Sequence, residues 1–139
     1  MTTRIDYTQP QQGGLGFART KKTFGRRVNL ATTDLATGAV TAAFKVPAGF
    51  TVTGIIAVAS DMDSNGSPTL ALSVGDSGSG TRHLSSSTIG QGGTSTQTLA
   101  STGLLYQYTT DTDILVTATT GSATAVAGTL DLYLEGFMQ

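Results

Sequence analysis

Apolar residues alternate with polar or small residues along much of the chain after residue 27, and the most apolar stretch runs from Phe50 to Ser60. Successive side chains of a β-strand point to opposite faces. The two expected faces of this strand are Phe50, Val52, Ile56 and Val58, and Thr51, Thr53, Ile55 and Ala57. A strand that is apolar on one face and only weakly polar on the other is typical of a sheet covered on both sides. The pattern therefore predicts that this strand lies in the middle of a β-sandwich.

Further strand-like segments follow one another at intervals of about ten residues. They span residues 28–35, 40–46, 70–74, 98–108, 114–120 and 125–137, and a short strand around 82–84 stays open as an addition. Asn65-Gly66 is a strong signal for a hairpin turn. No segment of useful length has a helical period. We predict an all-β fold, an antiparallel β-sandwich of jelly-roll type with seven to eight strands, and an up-and-down barrel is the alternative.

Composition supports this fold and adds a hint about the surface. The chain has 139 residues, which fits one domain, and it has no cysteine, so disulfides and thiolate metal sites are excluded. Neither a signal peptide nor a membrane-spanning run is recognisable, so we expect a soluble protein. Only 12% of the residues are charged. A surface with so few charges makes a free monomer poorly soluble. We therefore expect much of the surface to contact other protein.

The charges are unevenly distributed along the chain. Residues 1–27 carry six basic residues and one acidic residue, whereas residues 28–139 carry two basic and eight acidic residues. This asymmetry predicts a basic, extended N-terminal arm over residues 1–27 and a β-sandwich domain over residues 28–139. Aromatic residues among the charges favour an arm that docks on a partner, and an acidic protein surface is favoured over nucleic acid. The predicted contact residues are Arg4, Phe17, Arg19, Lys21, Lys22, Phe24, Arg26 and Arg27.

Two acidic segments are candidates for other roles. Asp61, Asp63 and Asn65 match the first half of an EF-hand loop, but the twelfth position, where that loop needs a glutamate, is Leu72. We favour an acidic hairpin turn over a calcium site that uses Asp61 and Asp63. Asp111 and Asp113 flank another turn, and we interpret them as turn residues rather than a catalytic pair.

Catalytic machinery is not recognisable in the chain. His83 is the only histidine, and no G-x-S-x-G elbow supports a serine nucleophile. The glycine-rich segments lack the Lys-Ser/Thr ending and the following helix of a phosphate-binding loop. We therefore predict that the protein is not an enzyme and that it uses no cofactor and no metal.

The segments V-P-A-G-F-T-V-T-G-I, D-M-D and S-P-T-L-A-L-S-V-G-D, followed by a Gly/Ser/Thr-rich middle and a final strand, resemble the head decoration or cementing proteins of tailed bacteriophages. Within that family, the similarity is closest to the cementing protein of a Bordetella phage. The resemblance implies a jelly-roll domain on the outer surface of an icosahedral capsid, where it clamps subunits of the major capsid protein. It implies neither enzyme activity nor a cofactor.

The expected partners are the major capsid protein and other copies of this chain, and no membrane or nucleic acid is expected. The expected location is the virion. Two other functions remain open at this point. One is a structural protein of the phage tail or fibre. The other is a glycan-binding β-module, in which Tyr106, Tyr108 and Tyr133 would line a sugar platform.

Overall fold

The computed structural model of the protein describes residues 21–138, which form eight β-strands. The strands are β1 (Lys21–Leu30), β2 (Val40–Val46), β3 (Phe50–Ala59), β4 (Ala71–Gly75), β5 (Leu84–Ser87), β6 (Ser95–Thr96), β7 (Thr112–Thr120) and β8 (Gly128–Met138). Three single 3₁₀ turns lie between them, at Thr32–Leu35, Ile89–Gln91 and Ser101–Gly103. Among these described residues there is no helix long and apolar enough to cross a membrane.

The strands form two antiparallel sheets of four strands each. One sheet has the order β1-β8-β3-β6 and the other the order β2-β7-β4-β5. Consecutive strands β1 and β2 lie in different sheets, as do β3 and β4, and the chain returns at its last strand to pair with its first. This exchange between two sheets is the arrangement of a jelly roll. The predicted all-β sandwich is confirmed.

The core lies between the two sheets and is filled by alternate residues of their central strands. In β8, the side chains of Leu130, Leu132 and Leu134 are fully buried, as the alternation predicted. Ile114 and Val116 of β7 belong to the same core cluster in the opposite sheet. Burial of side chains of this size contributes about 1.5–3 kcal/mol each. Because β8 pairs with β1 on one side and with β3 on the other, its leucines lie at the centre of the core.

The predicted faces of β3 are only half right. Phe50 and Val52 are buried, but the register of β3 against β8 shifts between Val52 and Gly54. A bulge of this kind inserts one extra residue, so every later side chain changes face. Ile55 is consequently buried in the core, while Ile56 lies on the outer face and is only half-buried.

The predicted boundary between arm and sandwich at residue 27 is wrong, because residues 21–27 belong to β1. Lys21 pairs with Phe137, and the pairing continues without a break to Leu30 opposite Gly128. Residue 25 of this strand has room only for glycine, because a Cβ there would lie 2.6 Å from a ring carbon of Tyr133. Any arm is thus limited to residues 1–20, which lie outside the described residues.

Four local predictions also change. Asn65-Gly66 does not close a hairpin, because the strands on either side of it lie in different sheets. The segment 98–108 forms a 3₁₀ turn and an irregular loop instead of a strand. The first predicted strand ends at Leu30, after which Thr32–Leu35 forms a 3₁₀ turn, and the short strand expected around 82–84 begins only at Leu84.

The bulge in β3 can be tested with two neighbouring isoleucines. We expect Ile55→Ala to lower the free energy of unfolding by about 2–4 kcal/mol, because it leaves a cavity in the core. Ile56→Ala removes the same atoms from the outer face and should lower it by about 1 kcal/mol or less. Urea denaturation of both variants measures the difference. Equal losses, or a greater loss for Ile56→Ala, would contradict the change of face.

Candidate interaction surfaces

The predicted contact residues that the structure describes lie on β1, at the edge of its sheet. Arg4, Phe17 and Arg19 lie outside the described residues. Phe24 does not project as a free anchor, because it packs edge-on against Phe50, with 4.9 Å between the ring centroids. Its aromatic ring therefore contributes to the hydrophobic core.

Two of the basic residues on β1 are paired within the chain. Arg27 donates through Nε and Nη2 to the two carboxylate oxygens of Asp131, at 2.7 and 2.9 Å. These hydrogen bonds raise the pKa of Arg27 and lower the pKa of Asp131. Lys21 forms an ion pair with Glu135 on the same outer face of the sheet. Part of the charge that the sequence assigned to a docking arm therefore holds β1 to β8.

In the acidic segment that resembles half an EF-hand, the carboxylate of Asp63 binds backbone N–H groups of two loops. One of its carboxylate oxygens accepts hydrogen bonds from the backbone N–H groups of Thr69, Leu70 and Ala123, at 2.8, 3.1 and 2.9 Å. The other oxygen accepts from the N–H of Thr124 at 2.9 Å. Asp63 is buried, and it connects the loop that follows β3 to the loop between β7 and β8.

The electrostatics of Asp63 match this role. Burial opposes the charged carboxylate, but the four backbone N–H groups outweigh it and hold the pKa of Asp63 well below its ordinary value. Asp61, in contrast, is exposed and accepts a hydrogen bond from the N–H of Asp63 at 3.1 Å. Between residues 21 and 138, no three His, Asp or Glu side chains are grouped so that they would hold a metal ion. Since Asp63 presents its oxygens to N–H donors, this segment is better described as a loop clasp than as a calcium loop.

A second buried polar network lies at the other end of the core. Arg82 donates through Nε and Nη2 to Asp76, at 2.6 and 3.2 Å. The hydroxyl of Tyr108 donates to the same carboxylate at 2.8 Å, and His83 Nε2 lies 2.6 Å from that hydroxyl. Asp76, His83 and Tyr108 are all buried.

The hydrogen bonds of this network determine which nitrogen of His83 carries the proton. Because the Tyr108 hydroxyl gives its only proton to Asp76, it can only accept from His83, so Nε2 carries the imidazole hydrogen. Nδ1 is buried and has no hydrogen-bond partner. Burial lowers the pKa of His83 to about 4, since the cation would need solvation that the core does not supply; Asp76 opposes this shift and Arg82 adds to it. Although burial favours the neutral acid, hydrogen bonds from Arg82 and Tyr108 lower the pKa of Asp76 to about 2.

The network holds the segment of residues 101–108, which we call the leucine loop. The side chain of Thr102 donates to the carbonyl of Arg82 at 2.8 Å, and the guanidinium of Arg82 lies 3.8 Å from the centroid of the Tyr106 ring. The loop backbone also bonds to β3: Leu105 N–H donates to the Val52 carbonyl at 2.8 Å, and Val52 N–H donates to the Tyr106 carbonyl at 3.0 Å. The leucine loop is therefore fixed on two sides.

This loop displays two apolar side chains. Leu104 is 58% exposed and Leu105 is 61% exposed, the highest values among the large apolar residues of the described chain. Leu105 also has a φ of 59°, in the left-handed region. A residue other than glycine held there costs on the order of 1–3 kcal/mol, and such strain is often found at functional positions. Sequence reasoning does not find this feature, because the pattern over residues 98–108 predicts a strand.

The tyrosines considered for a sugar platform do not form one. Tyr108 is buried and its hydroxyl is bonded within the network. Tyr106 packs edge-on against Tyr108 and is covered by Arg82. Tyr133 lies on the outer face of β8, against Gly25. The three rings therefore do not share one exposed surface.

We expect Asp63→Asn to lower the thermal melting temperature markedly at pH 7, because an amide replaces one acceptor oxygen with a donor that faces N–H groups. Asp61→Asn is the matched control and should change it little. The pKa of Asp63 is lower in the folded chain than in the unfolded chain, where it is about 4. The charged carboxylate therefore stabilises the fold above about pH 4, and this stabilisation fades as the pH falls further. The difference in melting temperature between wild type and Asp63→Asn should therefore become smaller at acidic pH. An equal fall in melting temperature for Asp61→Asn would contradict the conclusion that Asp63 holds the two loops together.

The buried imidazole predicts a second pH dependence. The unfolded chain binds a proton at His83 below about pH 6.5, whereas the folded chain binds it only near pH 4, so acid in this range favours unfolding. We expect this group alone to remove on the order of 3 kcal/mol of stability between pH 7 and pH 4. His83→Gln keeps a donor for Tyr108 but cannot titrate. Denaturation at several pH values should show a shallower slope for this variant, and an unchanged slope would refute the assignment.

The chain is similar to some solved structures but not to known protein families or curated sequences. No protein-family model matches the chain, and no curated protein sequence matches it. Among solved structures, a chain of the cyanophage Pam1 capsid asymmetric unit superposes with a TM-score of 0.78 and 30% sequence identity, and the match covers 99% of this chain and 98% of that one. None of the matched structures described here is from a Bordetella phage, so the closer relationship to such a protein remains a prediction.

Two further capsids contain a similar fold. A chain in the capsid of Ralstonia phage GP4 has a TM-score of 0.74 and 24% identity, covering 94% of this chain and 90% of that one. A chain in the acid-stable capsid of the Helicobacter pylori bacteriophage KHP30 has a TM-score of 0.55 and 14% identity, covering 84% and 93%. Since the identity to the Pam1 chain extends over nearly the whole of both proteins, this chain belongs to the same family of bacteriophage capsid proteins and is a structural component of a phage capsid.

Proposed function

We propose that this chain decorates and cements the outer surface of an icosahedral phage capsid, where it stabilises contacts between subunits of the major capsid protein. Contacts with other copies of the chain belong to the same proposal. The role needs no catalysis, which agrees with the prediction that the protein is not an enzyme. The resemblance of its sequence to head decoration proteins points in the same direction.

The observation that carries this proposal is the closure of the sandwich within one chain. Both sheets are complete within the described residues, and the leucines of β8 are fully buried without any partner. A protein with such a core can fold alone and then bind to a shell that has already been built. The match to Pam1 fits this view, because it extends over 98% of a separate chain in that capsid asymmetric unit.

The N-terminal residues give the proposal an electrostatic component. Lys21 and Arg27 are paired within the fold, so the basic residues that remain for docking include Arg4 and Arg19 of the segment before β1. Individual exposed ion pairs contribute only about 0–1 kcal/mol. Many copies on one particle would nevertheless give a high avidity.

Co-sedimentation with phage heads that lack this protein tests the proposal. We expect the full-length chain to bind saturably and to slow the heat-induced release of packaged DNA. Arg4→Glu and Arg19→Glu, alone and combined, should weaken binding most at low salt, because screening already reduces the attraction at high salt. Lys45→Glu, which reverses an exposed charge on the opposite sheet, is the matched control and should bind as wild type does.

The outcomes separate the two parts of the proposal. Saturable binding with a loss confined to the arginine variants supports both the cementing role and the arm. If none of the charge reversals changes binding, the cementing role stands, but the arm is excluded as a main contact. If the full-length chain does not bind heads at all, the cementing role is wrong, and a structural role elsewhere in the virion must be considered.

A further inference from the structure

The dipeptide Asn65-Gly66 closes no hairpin, and the fold does not require its glycine. A Cβ at residue 66 would meet no atom within 4 Å beyond its chain neighbours, and the φ of this residue is not in the left-handed region. Asparagine before glycine is nevertheless a reactive pair, because the glycine nitrogen can approach the preceding side-chain amide without hindrance from a side chain of its own. The other asparagine of the chain, Asn29, precedes Leu30 in β1.

The side chain of Asn65 is folded back along the backbone beside Gly66. The N–H of Ser67 donates to Oδ1 of Asn65 at 2.9 Å. This bond closes a ring that contains the side-chain amide carbon of Asn65 and the backbone nitrogen of Gly66, so the two atoms that would react are held near each other. Both residues are exposed, and no described residue accepts a hydrogen bond from the N–H of Gly66. This nitrogen is therefore open to water, which can take its proton.

The same hydrogen bond favours the chemical step. When the Gly66 nitrogen adds to the amide carbon, negative charge develops on Oδ1 of Asn65. The Ser67 N–H that already donates to this oxygen stabilises that charge. The nitrogen that would depart, Nδ2, donates to the hydroxyl of Thr124 at 3.0 Å, so the amide is fixed at both of its ends.

We propose that Asn65 is a site of spontaneous modification, at which the side-chain amide is lost through a succinimide. The Gly66 nitrogen, after giving its proton to hydroxide, forms a bond to Cγ of Asn65; the bond between Cγ and Nδ2 then breaks and ammonia leaves. Water opens the resulting ring. Attack at Cγ gives aspartate, whereas attack at the backbone carbonyl carbon gives isoaspartate, in which the main chain runs through Cβ and Cγ. A water molecule is consumed and an ammonia molecule is released, so the reaction needs no oxidant, reductant or cofactor.

Isoaspartate at this position would disturb the hydrogen bonds of Asp63. Residues 64–68 connect Asp63 to Thr69 and Leu70, whose N–H groups bond to one of its carboxylate oxygens at 2.8 and 3.1 Å. Isoaspartate adds a carbon atom to the main chain inside this closed loop, which changes the positions of both N–H groups. Either product also loses the hydrogen bond from Nδ2 to Thr124. We therefore expect the modified protein to be less stable, and because a phage particle synthesises no protein, the product accumulates as the particle ages.

The test incubates the full-length protein in mildly alkaline buffer and follows both asparagines by peptide mapping with mass spectrometry. We expect Asn65 to lose its amide while Asn29 stays intact, and a protein isoaspartate methyltransferase should label the peptide that contains residue 65. Gly66→Ala is the matched variant. The open space around residue 66 accepts a methyl group, so this variant should melt as wild type does, while Asn65 reacts on the order of tenfold more slowly.

A synthetic peptide of residues 61–70 gives the rate without the fold. If Asn65 stays intact in the folded chain while the peptide reacts, the fold protects this residue and the proposal is wrong. Equal loss of the amide at Asn29 and Asn65 would also contradict it.

Thermal melting of the incubated protein tests the effect on the loop. Asn65→Asp carries the charge of the aspartate product on an unchanged backbone. Incubated wild type, which contains isoaspartate, should therefore melt below both fresh wild type and Asn65→Asp, whereas incubated Gly66→Ala should keep its melting temperature. If incubated wild type contains isoaspartate and still melts as Asn65→Asp does, the effect of the longer main chain on the loop is refuted.

Discussion

The pairing of β8 with β1 on one side and β3 on the other is the interaction on which the rest of the structure depends. It joins the two ends of the described chain and places three fully buried leucines in the centre of the core. The bulge in β3 adjusts that strand to this partner. The two ion pairs that cross from β1 to β8 lie on the outer face of the same sheet.

The few charged residues of this protein largely serve its own architecture. Asp63 and Asp76 are buried and hold loops at the two ends of the sandwich, while Asp131, Glu135 and Asp113 each pair with a base of the same chain. What remains for contact is a surface poor in free charge, with two leucines on a fixed loop.

The sequence predicts some levels of this structure well and others poorly. Regular alternation in the segment of Leu130, Leu132 and Leu134 identified a half-buried strand, because period two is visible in any sequence. The change of face at Ile55 was not visible, since a bulge depends on the partner strand. Likewise, Asp63 resembles any turn aspartate until the loops that surround it are brought together. The exposure of Leu104 could not be predicted, because the sequence pattern around it also fits a strand with a buried apolar face.

The strand order has a consequence for how the protein is made. In the sheet that contains β1 and β3, these two strands do not touch each other directly, because β8 lies between them. A ribosome that has completed β1 and β3 has therefore produced two strands with no bond to one another until residues 128–138 have been synthesised. Such long-range pairing is slow and leaves strand edges uncovered in the meantime. Folding of this half of the sandwich therefore waits until β8 has been synthesised, and the edges of β1 and β3 stay open to aggregation until then.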